Sequence, residues 1–169
     1  MRKPIVNTLI DELVAEAVAL STRRVGEGGI PFAALVVDHR GEILGRGVNQ
    51  VKEDHDPTAH AEVVAIREAC RHRQSAQLNG SVLIASGEPC ALCYMAALYT
   101  GIGKVVFAAD REEAAQGGFD YRSSYRLFNQ DLSAWPLERR HHRHLASGVP
   151  FAVWRERHPD MTSAISVSP

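Results

Sequence analysis

Two short apolar runs, Ser81-Val82-Leu83-Ile84-Ala85-Ser86 and Lys104 to Ala109, enclose the segment Pro89 to Tyr99, which reads as one helix. Pro89 suits a first helical turn, where its missing N–H removes nothing, and Gly101 provides the stop. A hairpin cannot join parallel strands, so two strands connected through a helix of this length imply a parallel crossover.

Upstream, Pro31 to Val37 reads as a buried strand, Asp38-His39-Arg40-Gly41 as a hairpin turn and Glu42 to Val48 as its antiparallel partner. Asn7 is placed to cap a helix whose Ile10, Leu13, Val14, Ala17 and Val18 recur at helical spacing and which ends near Val25-Gly26. From Thr58 to about Arg73, Val63, Ile66, Ala69 and Cys70 mark a second helix, followed by the loop Ala76 to Gly80. Helix, hairpin, helix, strand, helix, strand is the order of an α/β domain, a three-layer α/β/α sandwich around a mixed sheet. Beyond Ala109, Arg111 to Gln116 reads as a brief helix and Asp131 to His144 as polar and partly helical. Pro159 to Pro169 is expected to be a flexible tail. With 169 residues and no low-complexity linker, a single domain over residues 1–158 is expected.

Lys and Arg total 19 against 20 for Asp and Glu, a net charge of −1 that supplies no field for gathering nucleic acid or an anionic membrane. The start of the chain has no export signal, and no run is apolar enough to span a bilayer, so a cytoplasmic location is expected. In a reducing compartment a close cysteine pair more often binds metal than forms a disulfide. Cys70 reads as a small buried apolar residue. The run Glu138-Arg139-Arg140-His141-His142-Arg143-His144 reads as a solvated helix face in preference to a nucleic-acid contact or a metal binder.

Three donors stand apart: His60 at one helix start, and Cys90 and Cys93 at another, within Pro89-Cys90-Ala91-Leu92-Cys93. Residues at i and i+3 share a helix face, so both sulfurs can reach one ion, and the positive end of the helix favours thiolates. A structural zinc closes with four protein ligands, whereas a catalytic one takes three and leaves a place for water; no fourth thiol or imidazole is placed near the pair. Glu62, two residues after His60, projects into the same site without ligating, and a carboxylate there can carry protons from water to a leaving amine. Either half alone is weak evidence, but His60-Ala61-Glu62 combined with Pro89-Cys90-Ala91-Leu92-Cys93 matches the zinc deaminase signature.

From about Ile30 to Tyr121 the chain resembles the cytidine deaminase-like superfamily, and within it the bacterial guanine deaminases. The likeness rests on Gly29-Ile30-Pro31-Phe32-Ala33-Ala34, Asn49 ahead of Asp56-Pro57-Thr58-Ala59-His60-Ala61-Glu62, Gly87-Glu88-Pro89-Cys90, Gly118-Phe119-Asp120 and Pro150-Phe151-Ala152-Val153-Trp154-Arg155. The resemblance implies a central mixed sheet of about five strands and one zinc per subunit held by His60, Cys90 and Cys93. It also implies that Glu62 protonates the ring nitrogen and then the departing ammonia of an aminated base, guanine first among them. By the same resemblance Asn49 hydrogen-bonds the base, the Ala61 N–H holds a ring substituent, and Phe32, Asp120, Tyr121 and Trp154 contribute to the substrate pocket. Read without the family, Asn49 is more readily a turn residue at a strand end than a ligand contact, and Phe151 and Trp154 are equally core or interface aromatics. One departure concerns Tyr121: guanine deaminases of this type tend to carry two acids after the Gly-Phe pair, and a phenol does not reproduce an anion facing ring N–H groups.

The expected partner is a small nucleobase, with a homodimer that exchanges C-terminal segments between subunits; nucleic acid and membrane are not expected partners. The alternatives are a cytosine deaminase, a deaminase converting adenosine to inosine in a tRNA anticodon, and an inactive zinc-stabilised binding module. For the tRNA enzyme, Arg122, Arg126, Arg139, Arg140 and Arg143 would have to gather into a basic surface. For an inactive module, loss of the proton shuttle would be the mark, and Glu62 is present.

Overall fold

In a computed structural model, which describes residues 7–142 and 144–158, the order of elements is the one expected through Ala109. Helix α1 (Asn7–Gly26) precedes the hairpin of β1 (Ala33–Val37) and β2 (Ile43–Val48). Then come α2 (Ala61–Arg73), β3 (Val82–Gly87), α3 (Ala91–Tyr99) and β4 (Lys104–Ala109). The sheet runs β2-β1-β3-β4, with β1 antiparallel to both neighbours and β3 parallel to β4, so the crossover through α3 and the mixed sheet are both present. The described residues form four strands where about five were expected, because the chain after β4 turns helical in α4 (Arg111–Gln116) and α5 (Ser123–Phe128). Asp110 enforces that turn. Its carboxylate accepts from the amides of Glu112 and Glu113, and the Asp110 amide in turn donates to the Glu113 carboxylate.

Strand alternation sorts the core into two layers. Leu35, Val37, Val82 and Ile84 face α1, where Leu13 and Ala17 meet them. Ala34, Val36, Leu83 and Ala85 face the opposite way and pack with Ala61, Ala65, Ile66 and Ala69 of α2 and Ala97 of α3. Both faces of β1 and β3 are therefore buried, which is why these strands read as continuous apolar runs. Alanines at Ala61, Ala65 and Ala69 let α2 lie close against β2, and Gly45 and Gly47 supply the matching absence of side chains on the strand. The hairpin turn also follows its sequence: the Asp38 carboxylate accepts from the amides of Arg40 and Glu42, while Gly41 takes φ +87°.

The chain divides into two units, one ending at Asn129 and one beginning at Gln130. The second unit holds a 3-10 turn at Leu132–Ala134 and α6 (Val149–Arg157), a helix that begins next to Pro150. The partly helical reading of Asp131 to His144 is reduced to that turn; residues 138–142 and His144 are exposed but not helical, so they do not form a helix face. The Asn7 side chain, Arg143 and the tail from Pro159 lie outside the described residues. No helix among the described residues is long and apolar enough to cross a membrane.

Candidate metal centre and active-site cleft

His60 and Cys90 occupy equivalent places, each in extended backbone at the cap position of a helix, α2 and α3 respectively. Neither side chain caps its own helix, so both are free to turn toward each other. The His60 Nδ1 lies 3.4 Å from Cys90 Sγ and 3.5 Å from Cys93 Sγ, and the sulfurs are 3.6 Å apart. Tetrahedral zinc with its usual bond lengths has ligand-to-ligand edges of about 3.6 to 3.8 Å, so the three donors already stand near three corners of such a site. The buried sulfurs and half-buried imidazole form a donor set chosen by a thiophilic ion.

The electrostatics agree with a shared site. The proton shared between the sulfurs and the hydrogen bond from His60 hold the Cys90 thiol below its ordinary range, while the Cys90 sulfur and burial push Cys93 up. One thiolate of the pair is thus favoured before any ion arrives. The same thiolate, hydrogen-bonded to the ring, raises His60.

Glu62 is fully enclosed, and burial pushes its carboxyl up while its own amide opposes the shift. Its Oε2 lies 3.4 Å from Cys93 Sγ, which places the carboxyl beside the donor set. Beside these groups lies a cleft of about 240 Å³ lined by Ile30, Phe32, Asn49, Val51, His60, Glu62, Glu88, Cys90 and Tyr121. Its walls are mostly apolar, with few polar groups, as in a site for one small planar ligand. The Asn49 carbonyl oxygen accepts from the Val51 amide at 3.2 Å, and this leaves its NH₂ as the donor offered to the cleft.

The sequence-derived residues divide accordingly. Phe32, Asn49, His60, Glu62, Cys90 and Tyr121 share the cleft, Cys93 sits behind it, and Ala61 opens α2 at its edge. Asp120 does not line this cleft. Its carboxylate is held by Arg122 at 2.7 and 2.8 Å and borders a different hollow with Arg111, Glu112 and Arg126. Trp154 belongs to the second unit, on α6, with its ring stacked 4.5 Å from that of His158. Tyr121 is engaged: its hydroxyl donates to the Glu88 carbonyl at 2.6 Å and its ring edge packs on Phe32. Val51, Ser124, Tyr125 and Arg111 were not marked by the sequence, and Glu88 only as part of the stretch Gly87-Glu88-Pro89-Cys90, although Tyr121, Ser124 and Tyr125 stand at helical spacing.

Residues 8–109 match the cytidine and deoxycytidylate deaminase zinc-binding region. The guanine deaminase of Bacillus subtilis is 37% identical over 155 residues, covering 86% of this chain and 93% of that protein. Its crystal structure superposes with a TM-score of 0.79 at 34% identity over the same shares of the two chains. The guanine deaminase from Nitrosomonas europaea gives 0.62 at 27% identity, covering 64% of this chain and 63% of that one. A tRNA-specific adenosine deaminase from Aquifex aeolicus is 42% identical, but over 87 residues, 52% of this chain and 57% of its own. A zinc-type donor triad, the fold that carries it and these likenesses lead to one assignment: the chain belongs to the cytidine and deoxycytidylate deaminase family and is a zinc-dependent hydrolytic deaminase.

Proposed function

We propose that this deaminase acts on a free aminated nucleobase, guanine, releasing ammonia and leaving xanthine. The observation that carries the reading is the cleft itself: a small, mostly apolar slot with one amide donor on its wall and Glu62 against the metal ligands. The likeness to a guanine deaminase along almost the whole of both chains supports the substrate. His60, Cys90 and Cys93 would hold the zinc, which when bound would make water a nucleophile near neutral pH.

The residues of the chain do the rest. Glu62 takes the water's first proton at a carboxylate oxygen and passes it to the ring nitrogen as the water oxygen bonds to the amine-bearing carbon; it then takes the proton of the added hydroxyl and delivers it to the amino group, so that the C–N bond breaks, ammonia leaves and the ring carbonyl remains. Asn49 orients the base by donating its NH₂ to a ring acceptor. The Ala61 amide, at the uncapped start of α2, holds a ring substituent. Ile30, Phe32, Val51 and the ring of Tyr121 exclude bulk water and keep the ring flat between them. The Tyr121 hydroxyl is occupied by the Glu88 carbonyl, so this phenol serves as a wall and does not substitute for an acid facing the guanine edge.

The enzyme works as a cytoplasmic homodimer with one zinc per subunit; exposed Leu98 and Tyr99 on α3 and Phe107 on β4 provide apolar surface for such a contact. A polyanionic substrate is disfavoured. The net charge is −1, and Arg122 and Arg111 are already paired with Asp120, Glu112 and Glu88.

Ammonia release by zinc-loaded protein from guanine, cytosine, adenine and an adenosine-bearing anticodon stem-loop tests the reading. Turnover of guanine above the others is expected. Turnover of the stem-loop with guanine untouched, and with activity falling steeply as salt rises, would replace it by the tRNA reading.

A further inference from the structure

The turn from Tyr121 to Tyr125 grips the backbone around Cys90 at three points. The Tyr121 hydroxyl donates to the Glu88 carbonyl at 2.6 Å and the Tyr125 hydroxyl to the Pro89 carbonyl at 2.5 Å. The Ala91 amide donates to Ser124 Oγ at 3.3 Å. The Pro89 carbonyl belongs to the peptide plane before the Cys90 Cα, and the Ala91 N–H to the plane after it. Both planes that aim the Cys90 Cα–Cβ bond are therefore fixed from the same short segment, which is itself turned by bonds from the Ser124 amide to the Tyr121 carbonyl and from the Tyr125 amide to the Arg122 carbonyl.

A brace lies beneath this grip. Arg111 holds the Glu88 carboxylate through its amide at 2.9 Å, its Nε at 3.1 Å and an Nη at 2.6 Å. Its guanidinium also rests 4.3 Å over the Tyr125 ring. Glu88 and Pro89 are almost wholly enclosed, so their carbonyls would be left buried and unsatisfied if the phenols withdrew. Burial pushes both the Tyr121 and Tyr125 hydroxyls up, helped by Glu62 and Glu88 at Tyr121 and by Glu88 at Tyr125, which keeps them protonated as donors.

We propose that Tyr121, Ser124 and Tyr125 are positioning residues that aim Cys90 Sγ at the metal, so that zinc affinity is set in part by this clamp. The proposal rests on His60, Cys90 and Cys93 holding zinc. Groups that orient metal ligands from outside typically alter metal affinity by about 10- to 100-fold. The clamp differs from such groups in gripping the ligand's backbone and leaving its side chain free.

The test is zinc affinity by competition with a chromogenic chelator, and the visible spectrum of the cobalt-substituted protein, for Tyr125→Phe, Ser124→Ala and the combined variant. Ser124→Thr, which keeps the oxygen, serves as the rescue, and Gln116→Ala, exposed at the end of α4, as the control. The combined variant is expected to bind zinc about tenfold or more weakly and to shift the thiolate-to-cobalt bands, while the control and Ser124→Thr match the parent. If the combined variant does not fold, Tyr125→Phe, which deletes one oxygen, carries the same readout at smaller amplitude. Zinc affinity within about twofold of the parent, with an unchanged cobalt spectrum, overturns the clamp. A parent protein that takes up no zinc at all fails the metal reading instead.

Discussion

Gly47 on β2 lies directly beneath the Ala61 carbonyl at the start of α2, so close that a methyl group on the strand would collide with the helix backbone. Gly45 meets Ala65 and Ala69 one turn further along in the same way. The helix that carries His60 at its cap and Glu62 in its first turn is thus seated on bare strand backbone. Gly47→Ala and Gly45→Ala must lift it. Each is expected to cost about 1–3 kcal/mol, read as a fall in Tm of about 2–4 °C per kcal/mol in a chain of this size. Gly103, which has open space around it, accepts alanine without such a loss. Equal Tm values for all three variants would show that α2 does not depend on this seat.

Glu62→Gln keeps the shape of a buried side chain and its contact with the Cys93 sulfur but removes the ability to take up a proton. Zinc content is expected to be unchanged and kcat to fall about 10²- to 10⁴-fold, the usual contribution of a positioned acid–base group. A variant that keeps zinc and its full kcat would move the proton shuttle to another residue.

The metal triad is legible in the sequence because its signals are local: Cys90 and Cys93 at i and i+3, and His60 and Glu62 on either side of a helix start. The crossover and the two-sided core are legible for the same reason, as apolar runs in β1 and β3 with no polar face. Helix α2 starts at Ala61, later than Thr58, because Thr58 is held in a turn by the Asp56 carboxylate before the helix can begin. The clamp on Cys90 is not legible, since Tyr121 meets Glu88 and Tyr125 meets Pro89 across 33 and 36 residues, and nothing in either segment announces the pairing. Asp120 misleads for the converse reason. Its motif suggests the pocket, whereas the nearby Arg122 captures the carboxylate through a two-residue local contact.

Asn49→Ala removes the one side-chain amide offered to the cleft, and with it a hydrogen bond to the ring. The loss of a bond whose partner then stays buried costs about 1–3 kcal/mol, or roughly 5- to 150-fold in kcat/KM. Asn49→Asp is expected to be worse, because it turns a donor into an acceptor toward the same ring atom while keeping the side chain's size. If kcat/KM for guanine is unaltered in both, Asn49 is the turn residue its place after β2 also allows, holding only the Val51 amide.

Asp56 ties the approach to the metal centre: its carboxylate accepts from the Thr58 hydroxyl at 2.7 Å, the Thr58 amide at 2.8 Å and Arg67 at 3.1 Å. These bonds, led by that from the Thr58 hydroxyl, lower its pKa from 3.8 to about 2. A carboxylate lowered on folding contributes stability that is fully present above its unfolded pKa and is lost as pH falls through the folded one. The stability difference between the parent and Asp56→Asn is therefore expected to be constant above the unfolded value of 3.8 and to shrink between there and about 2. Urea unfolding of both proteins in the metal-free form, at a series of pH values from neutral downward, isolates this contribution, since protonation of the zinc ligands is common to the two. A difference that stays constant down through that window would mean that Thr58 and Arg67 do not hold the carboxylate ionised in the folded chain.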